Sequence, residues 1–379
     1  MKTRAVRMYG EMDLRLEEFE LPEIKDDEIL VKVISDSICM STYKLAKQGK
    51  KHKRAPQDID VNPIITGHEC SGVIVQVGDK WKDKYKVGDK WALQPALNYQ
   101  GKLDSPGYSY RFCGGDATYA IMPHEVMELD ALLPYDGEAF YQASLGEPMS
   151  CIIGGYHANY HTNKQNYDHA MGTKKDGNIL IMGGCGPMGL GAVSYGLRFE
   201  NKPKRIVVTD VDDAKLARAA EVISPEFAAS KGVELIYFNS SVENAEEKLM
   251  EITEGHEINL YNCHYTSSHI LGTTGGNNDD LLEALQLSAK GEINPSVMVT
   301  HIGGLDSVAD TTCQLPTIPG GKKLCYTQID MPLTAIEDFE ELGKDNELFA
   351  KLDKSCKEHN GLWNADAEKI LFAHFNVEI

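Results

Sequence analysis

Residues 178–193 read NILIMGGCGPMGLGAV, and this stretch decides the fold. A short apolar run from Asn178 meets a cluster of glycines and continues into a small-residue stretch with helical texture. Gly184, Gly186 and Gly189 stand in the frame G-x-G-x-x-G between a predicted strand and a predicted helix, the context in which that spacing carries meaning. Gly184 can make the tight turn, Gly186 lets the backbone approach a pyrophosphate at a helix N-terminus, and Gly189 permits close helix–strand packing. Pro187 and Met188 complete the predicted cofactor-binding turn. The next apolar run, RIVVTD, ends in Asp210, 21 positions after Gly189. A carboxylate there accepts hydrogen bonds from the adenosine ribose and repels a 2′-phosphate, which favours NAD(H) over NADP(H). The plainer reading is a glycine-rich turn that holds nothing; the register of strand, glycines, helix and acid argues against it. Cys185 reads as a small filler.

Outward from this loop, NILIMG, RIVVTD, ELIYF, INLYN and SVMVTHIGG alternate with helical stretches, predicting a parallel sheet of βαβ units. The first 150 residues differ in texture. EILVKVISDSI, SGVIVQVG and GDATYAIMP mix β-branched residues with turn glycines and prolines. Between the two regions, ASLGEPMSCIIGGYHANYH (143–161) reads as a helix and is followed by a polar insertion, 162–177. The last 50 or so residues are helical and acidic.

A chain of 379 residues exceeds what one core usually serves, so two domains are expected. Hydrophobic residues make up 42% and charged residues 25%, as in a soluble globular protein. A net charge of −19 argues against nucleic-acid binding and against adsorption to an anionic membrane surface. The start carries no signal-peptide pattern and no apolar run spans a bilayer. Nine scattered cysteines without a CxxC pair fit a reducing cytoplasm.

Residues 66–78, TGHECSGVIVQVG, place His68 and Glu69 at the head of a strand-like run. Cys39 and Ser41 lie upstream in ISDSICMSTYK, and Glu147 lies downstream in LGEPMS. Taken singly, each is more often structural: a turn residue, a small buried thiol, a solvated acid. Cys, His and Glu are nevertheless good zinc ligands, and a catalytic zinc wants about three protein ligands and one exchangeable position.

With these motifs in this order, the chain resembles the zinc-dependent medium-chain dehydrogenase/reductase family, the alcohol and sorbitol dehydrogenases. GHECSGVIVQVG matches the family pattern G-H-E-x-x-G-x-V-x-x-V-G, KVGDKW its following turn, GEPMSC its E-P motif and GGCGPMGLGAV its nucleotide loop. The resemblance implies an α/β protein: a GroES-like β-barrel catalytic domain (1–155), a Rossmann doubly wound parallel-sheet domain binding NAD (156–325), and a C-terminal segment returning to the first (326–379). It implies one catalytic zinc held by Cys39, His68 and Glu69 or Glu147, with Ser41 as the hydroxyl that begins proton transfer. It also implies a homodimer or homotetramer.

Two departures stand out. Where the family often reads C-x-[S/T]-D-x-H, this chain has Thr42 for the aspartate and Lys44 for the relay histidine. His68 must then be supported differently, and a lysine is a poorer proton shuttle than histidine near neutral pH. Between Asp89 and Ile121 there is only Cys113, so no structural four-cysteine zinc is expected.

The run KLAKQGKKHKR carries Lys44, Lys47, Lys50, Lys51, Lys53 and Arg54 with no acid, in an acidic protein. Such runs are usually solvated, yet in this fold the loop borders the substrate entrance and would suit a phosphate. The segments PGYSYRFCGGDATYAIMP and GEPMSCIIGGYHANYHT, with the insertion, resemble the L-sorbose 1-phosphate reductases of the family. That resemblance implies reduction of L-sorbose 1-phosphate to D-glucitol 6-phosphate, with other polyol or polyol-phosphate dehydrogenases as the alternative. A NAD(H)-binding protein without chemistry is disfavoured by the retention of Cys39, Ser41, His68, Glu69 and Glu147 together. His157 and His161, at helical spacing, are expected to pack or hydrogen-bond, not to bind a second metal, for want of an H-E-x-x-H motif.

Overall fold

The computed structural model describes residues 1–162, 165–166, 168–199, 201–253, 273 and 275–379. By its internal contacts the chain forms two units. One comprises Met1–Glu147, Leu281–Lys290 and Val299–Ile379; the other comprises Pro148–Asp280 and Gly291–Met298. The sequence places the boundaries at 155/156 and 325/326. The contacts divide the chain at Glu147/Pro148, and its return to the first unit is complete by Val299.

The first unit is built around the strand Ile29–Ile38, ILVKVISDSI, in which every residue but Lys32 is buried. β-Branched side chains suit such a strand. It pairs antiparallel with Cys70–Val77, with Tyr119–Met122 and with Lys322–Tyr326. Lys90–Leu93 and Leu132–Pro134 extend the sheet on one side, and Val299–Gly304 and Thr334–Ala335 extend it on the other. Ile29, Val31, Val33, Ile74, Trp91 and Leu93 pack as its core. Each such side chain, fully buried, contributes about 1.5–3 kcal/mol. Lys2–Gly10, paired with Asp13–Glu20 and with Ile64–Ile65, forms a second, three-stranded antiparallel sheet.

This register positions the site. Ile29–Ile38 runs directly into Cys39, which caps the helix Met40–Gln48. Ile64–Ile65 runs through a turn at Gly67 (φ +84°) into Cys70–Val77. Because Asp36 lies opposite Cys70, and Ser37 N–H donates to the Glu69 carbonyl at 3.1 Å, Cys39 and the His68–Glu69 pair reach the same end of the sheet.

In the second unit Asn178–Ile181, Arg205–Asp210 and Glu234–Asn239 form a parallel sheet in that order, as βαβ alternation predicts. Helix Pro187–Gly196 follows the first strand, and helix Asp213–Val222, capped by the Asp212 carboxylate, follows the second. The strand expected at 258–262 lies outside the described residues. The expected strand SVMVTHIGG does not join this sheet: Val299–Gly304 runs parallel to Lys322–Tyr326 in the first unit. A buried apolar run fits either environment, so its pattern alone could not assign the sheet. Part of the polar insertion is a hairpin, Tyr160–Thr162 with His169–Met171. Among the described residues no helix is long and apolar enough to cross a membrane.

Candidate active site

Cys39, His68 and Glu69 come together: their ligand atoms all lie within 4.8 Å of one another. His68 and Glu69 are buried, at 4% and 1% exposure, and Cys39 is half-buried. Ser41 sits among them, its hydroxyl donating to Cys39 Sγ at 3.0 Å and lying 3.2 Å from His68 Nε2. A Cys, a His and a carboxylate on rigid elements make a donor set suited to zinc.

Thr42, standing where the resembled family often has aspartate, takes over its contact to His68. Thr42 Oγ1 lies 3.3 Å from His68 Nδ1, so the ring's second nitrogen keeps a partner. Lys44, where the relay histidine is expected, is exposed.

Three residues of the site escaped the sequence reading. Lys322 is buried, and its ammonium bonds both oxygens of Glu69, with Oε2 at 2.5 Å. Ser37 Oγ bonds the same carboxylate. Burial works against that charge, but Lys322 foremost, then His68, hold the Glu69 carboxyl below its ordinary value. Burial, and then the Glu69 charge, push the Cys39 thiol up. A metal must therefore displace a proton from it. The third residue is Tyr108, buried, whose OH lies 3.2 Å from His68 Nε2. Tyr108 comes from a loop 40 positions beyond His68 and carries no motif.

Glu147 stands in the first turn of helix Gly146–Ala158, outside the three-residue donor group. It feels Glu69, His68, Cys39 and Lys322, and burial followed by repulsion from Glu69 pushes its carboxyl up to about 7. Both glutamates are thus near the donors, in different electrostatic states.

The basic run is divided. Lys44, Lys47, Lys51 and Lys53 are exposed, and Lys50 pairs with Asp60 at 2.6 Å. Arg54 is half-buried, donates to the Leu103 carbonyl at 2.8 Å and lies 5.7 Å from the Tyr108 ring centroid. His52 stacks on the same ring. Of the six residues, Arg54 has the contact that leads, through Tyr108, to His68.

In the second unit the glycine frame leads from strand Asn178–Ile181 into helix Pro187–Gly196. Gly184 N–H donates to the Thr209 carbonyl at 2.8 Å, tying the turn to the neighbouring strand. A Cβ on Gly189 would collide with the Gly184 carbonyl, so only glycine allows this helix–strand approach. Gly186, the N-cap of helix Pro187–Gly196, faces open space, and Met188 is exposed beside it. That is the cradle an anionic group needs at a helix N-terminus. Asp210 ends its strand, and its Oδ1 accepts from Val211 N at 2.8 Å and Asp212 N at 3.3 Å, which fixes the carboxylate. Asp210→Ala is expected to raise the KM for NADH about tenfold or more and to narrow the NADH/NADPH preference, since a charge-assisted hydrogen bond is worth about 1.5–3 kcal/mol. Unchanged kinetics with both cofactors would sink the assignment.

His157 and His161 do not share a helix face. The helix ends at Ala158, and His161 lies on the strand Tyr160–Thr162. His157 Nδ1 is 2.8 Å from Asp280 Oδ1, a hydrogen-bonding role.

Known proteins resemble this chain in sequence and in fold. Residues 25–131 match the alcohol dehydrogenase GroES-like domain. Mannitol-1-phosphate 5-dehydrogenase of Aliivibrio fischeri is 43% identical, covering 100% of this chain and 99% of that protein. L-sorbose 1-phosphate reductase of Klebsiella pneumoniae is 38% identical, covering 98% of each. Among solved structures, 2R,3R-butanediol dehydrogenase of Bacillus subtilis has a TM-score of 0.66 at 19% identity, over 86% of this chain and 99% of that one.

Proposed function

The chain belongs to the zinc-dependent medium-chain dehydrogenases, the family of the alcohol and sorbitol dehydrogenases, and from that premise we propose that it reduces L-sorbose 1-phosphate to D-glucitol 6-phosphate with NADH. It is an oxidoreductase of the sugar-phosphate and polyol class.

Cys39 and His68, with Glu69 or Glu147, would hold one catalytic zinc, and the donor chemistry fits it. Bound there, zinc supplies Lewis acidity at the substrate oxygen. Reduction adds hydride from the nicotinamide to the C2 carbonyl carbon and a proton to its oxygen. Ser41, fixed by Cys39 and His68, is the hydroxyl that meets that oxygen and passes the proton. Thr42 fixes the His68 ring, and Lys322 with Ser37 fixes Glu69. Asp210 takes the ribose hydroxyls, favouring NAD(H), and the Gly186 cradle takes the pyrophosphate. One zinc per chain is expected by elemental analysis; a value near two would overturn the single-metal reading. The enzyme is proposed to assemble as a dimer or tetramer.

The observation that carries the phosphate is the contact series Arg54–Tyr108–His68, which sets a guanidinium over an aromatic ring whose hydroxyl reaches the donor set. Arginine suits phosphate because its fork can bond two oxygens. NADH oxidation with L-sorbose 1-phosphate is expected to exceed that with free L-sorbose in kcat/KM. Arg54→Ala should cut the phosphorylated rate about 10–100-fold and leave the free sugar unchanged, at about 1.5–3 kcal/mol for the lost bond. Equal turnover of the free sugar would return the loop to a solvated surface and leave a polyol dehydrogenase.

The 43% identity to a mannitol-1-phosphate 5-dehydrogenase favours a second reading. By its name, that enzyme acts at C5 of a chain phosphorylated at C1, whereas the C2 carbonyl of L-sorbose 1-phosphate adjoins the phosphorylated carbon. The two readings put the phosphate at different distances from the reacting carbon. NAD⁺ reduction with mannitol 1-phosphate, measured beside D-glucitol 6-phosphate, separates them.

A further inference from the structure

Beneath the donor set lie two carboxyls that the chemistry above does not use. Asp36 is fully buried on the strand Ile29–Ile38, and Asp116, 2% exposed, lies on the loop before Tyr119–Met122. A Cβ on Gly67 would collide with Asp36 Oδ2 and lie 2.7 Å from Asp116 Cγ, so the two carboxyls meet at one point. Among the described residues no ion pair reaches either of them. Asp36 Oδ1 accepts from Ser37 N at 2.7 Å, and Asp116 Oδ2 accepts from Thr66 Oγ1 at 2.7 Å. Asp36 Oδ2, buried, has no hydrogen-bond partner while both acids are ionised. Two adjacent carboxylates cannot both stay ionised in a dry site. One proton between them removes the repulsion and satisfies the orphan oxygen at once.

The backbone that carries Asp116 also ties together the segments that present the ligands. Asp116 N–H donates to the Thr66 carbonyl at 2.9 Å, Gly115 N–H to the Gly67 carbonyl at 2.7 Å, and Val6 N–H to the Asp116 carbonyl at 2.8 Å. Asp36 Oδ2 fills the space that side chains on Gly67 and Gly115 would need. The turn that aims His68 and Glu69 is therefore packed directly on the two acids.

We propose that Asp36 and Asp116 share one proton and that this carboxyl–carboxylate hydrogen bond is the buttress that positions the His68–Glu69 turn. Burial, and then the facing negative charge of Asp116 and Glu69, hold the Asp36 carboxyl well above the ordinary range. Burial raises that of Asp116 too, against the Thr66 bond and His68. The thiols of Cys70 and Cys325 face the pair as well and are pushed up by burial and by both acids. These are positioning residues, and the second half of the proposal rests on His68 and Glu69 being metal ligands.

The test has two arms. The infrared spectrum of the whole protein at neutral pH is expected to show a protonated carboxylic acid C=O stretch that both Asp36→Asn and Asp116→Asn remove, because an amide donates the hydrogen bond without needing the proton. A wild-type-minus-variant difference without that band overturns the shared proton. The second arm measures zinc affinity by chelator competition. Asp36→Asn is expected to bind zinc within about threefold of wild type, and Asp36→Ala or Asp116→Ala about 10–100-fold more weakly, the range for groups that orient ligands. Folded alanine variants with wild-type affinity overturn the positioning role. If the alanine variants do not fold, Asp36→Asn still decides: loss of its zinc affinity by tenfold would show that the hydrogen bond is not what matters. Failure of wild type to bind zinc would sink the metal reading and the positioning role together, leaving the infrared arm to decide the shared proton.

Discussion

Lys322→Met is expected to destabilise the zinc-free protein by about 3–5 kcal/mol, the cost of stranding one member of a buried ion pair. Glu69 is 1% exposed, and Lys322 is the cation bonded to both of its oxygens. Methionine matches the lysine stem in volume and is apolar, so packing is largely conserved and the loss reports charge. Ser37 then gives the carboxylate its remaining side-chain hydrogen bond, and His68 nearby is a weaker substitute for the lost ammonium. Glu69 must take up a proton or draw in water, and either choice disturbs the turn that also carries His68. Thermal unfolding should fall by on the order of 10 °C. Zinc tests the cause. A divalent ion beside Glu69 supplies the positive charge that the variant has lost, so added zinc should raise the variant's Tm more than it raises that of wild type. Equal stability of the two proteins in chelator would mean that the pair is not held as the geometry shows. Equal zinc responses would mean that Glu69 does not sense the metal.

The legible parts of this protein are those whose chemistry is local in sequence. Gly184, Gly186 and Gly189 lie close together in sequence, and their spacing suits a backbone that bends and then admits a helix close by. His68 and Glu69 adjoin one another beside a glycine with positive φ, and Cys39 ends a strand that could be read from its own residues. The parts that were not legible are partnerships across the chain. Lys322 is 253 positions from Glu69 and arrives on a strand of the returning segment, where GGKKLCY has no mark to set one lysine above the other. Asp36 and Asp116 look like ordinary polar positions until strand pairing closes them against Gly67. The strand Val299–Gly304 was visible as a strand but not as a member of the first unit's sheet, since apolar periodicity reports burial and not the neighbour. The basic run is likewise sorted by partners that its sequence does not show: Lys50 is answered by Asp60, and Arg54 leans on Tyr108.

Cys39→Ser is expected to lower kcat/KM about a thousandfold or more while leaving NADH binding unchanged. The thiolate is the anionic sulfur donor of the set, and serine at the same position offers a hydroxyl that stays protonated near neutral pH and binds zinc poorly. Losing the Lewis acid forfeits several kcal/mol of stabilisation at the substrate oxygen, and each 1.36 kcal/mol is about tenfold in rate. Folding should survive. Cys39 caps helix Met40–Gln48 by accepting from Ser41 N, and serine is a good N-cap, so the substitution keeps the local role and removes the metal role. Ser41 remains, still facing His68 Nε2, which isolates the loss to the donor set. NADH fluorescence titration of the variant reads the cofactor loop by itself, because Gly184, Gly186, Gly189 and Asp210 belong to the other unit. Retention of most of the activity, with zinc removed from the variant by dialysis against chelator, would mean that carbonyl polarisation comes from side chains alone. Tyr108 would then be the donor to examine, since its OH already reaches the same His68 nitrogen and burial keeps its phenol protonated.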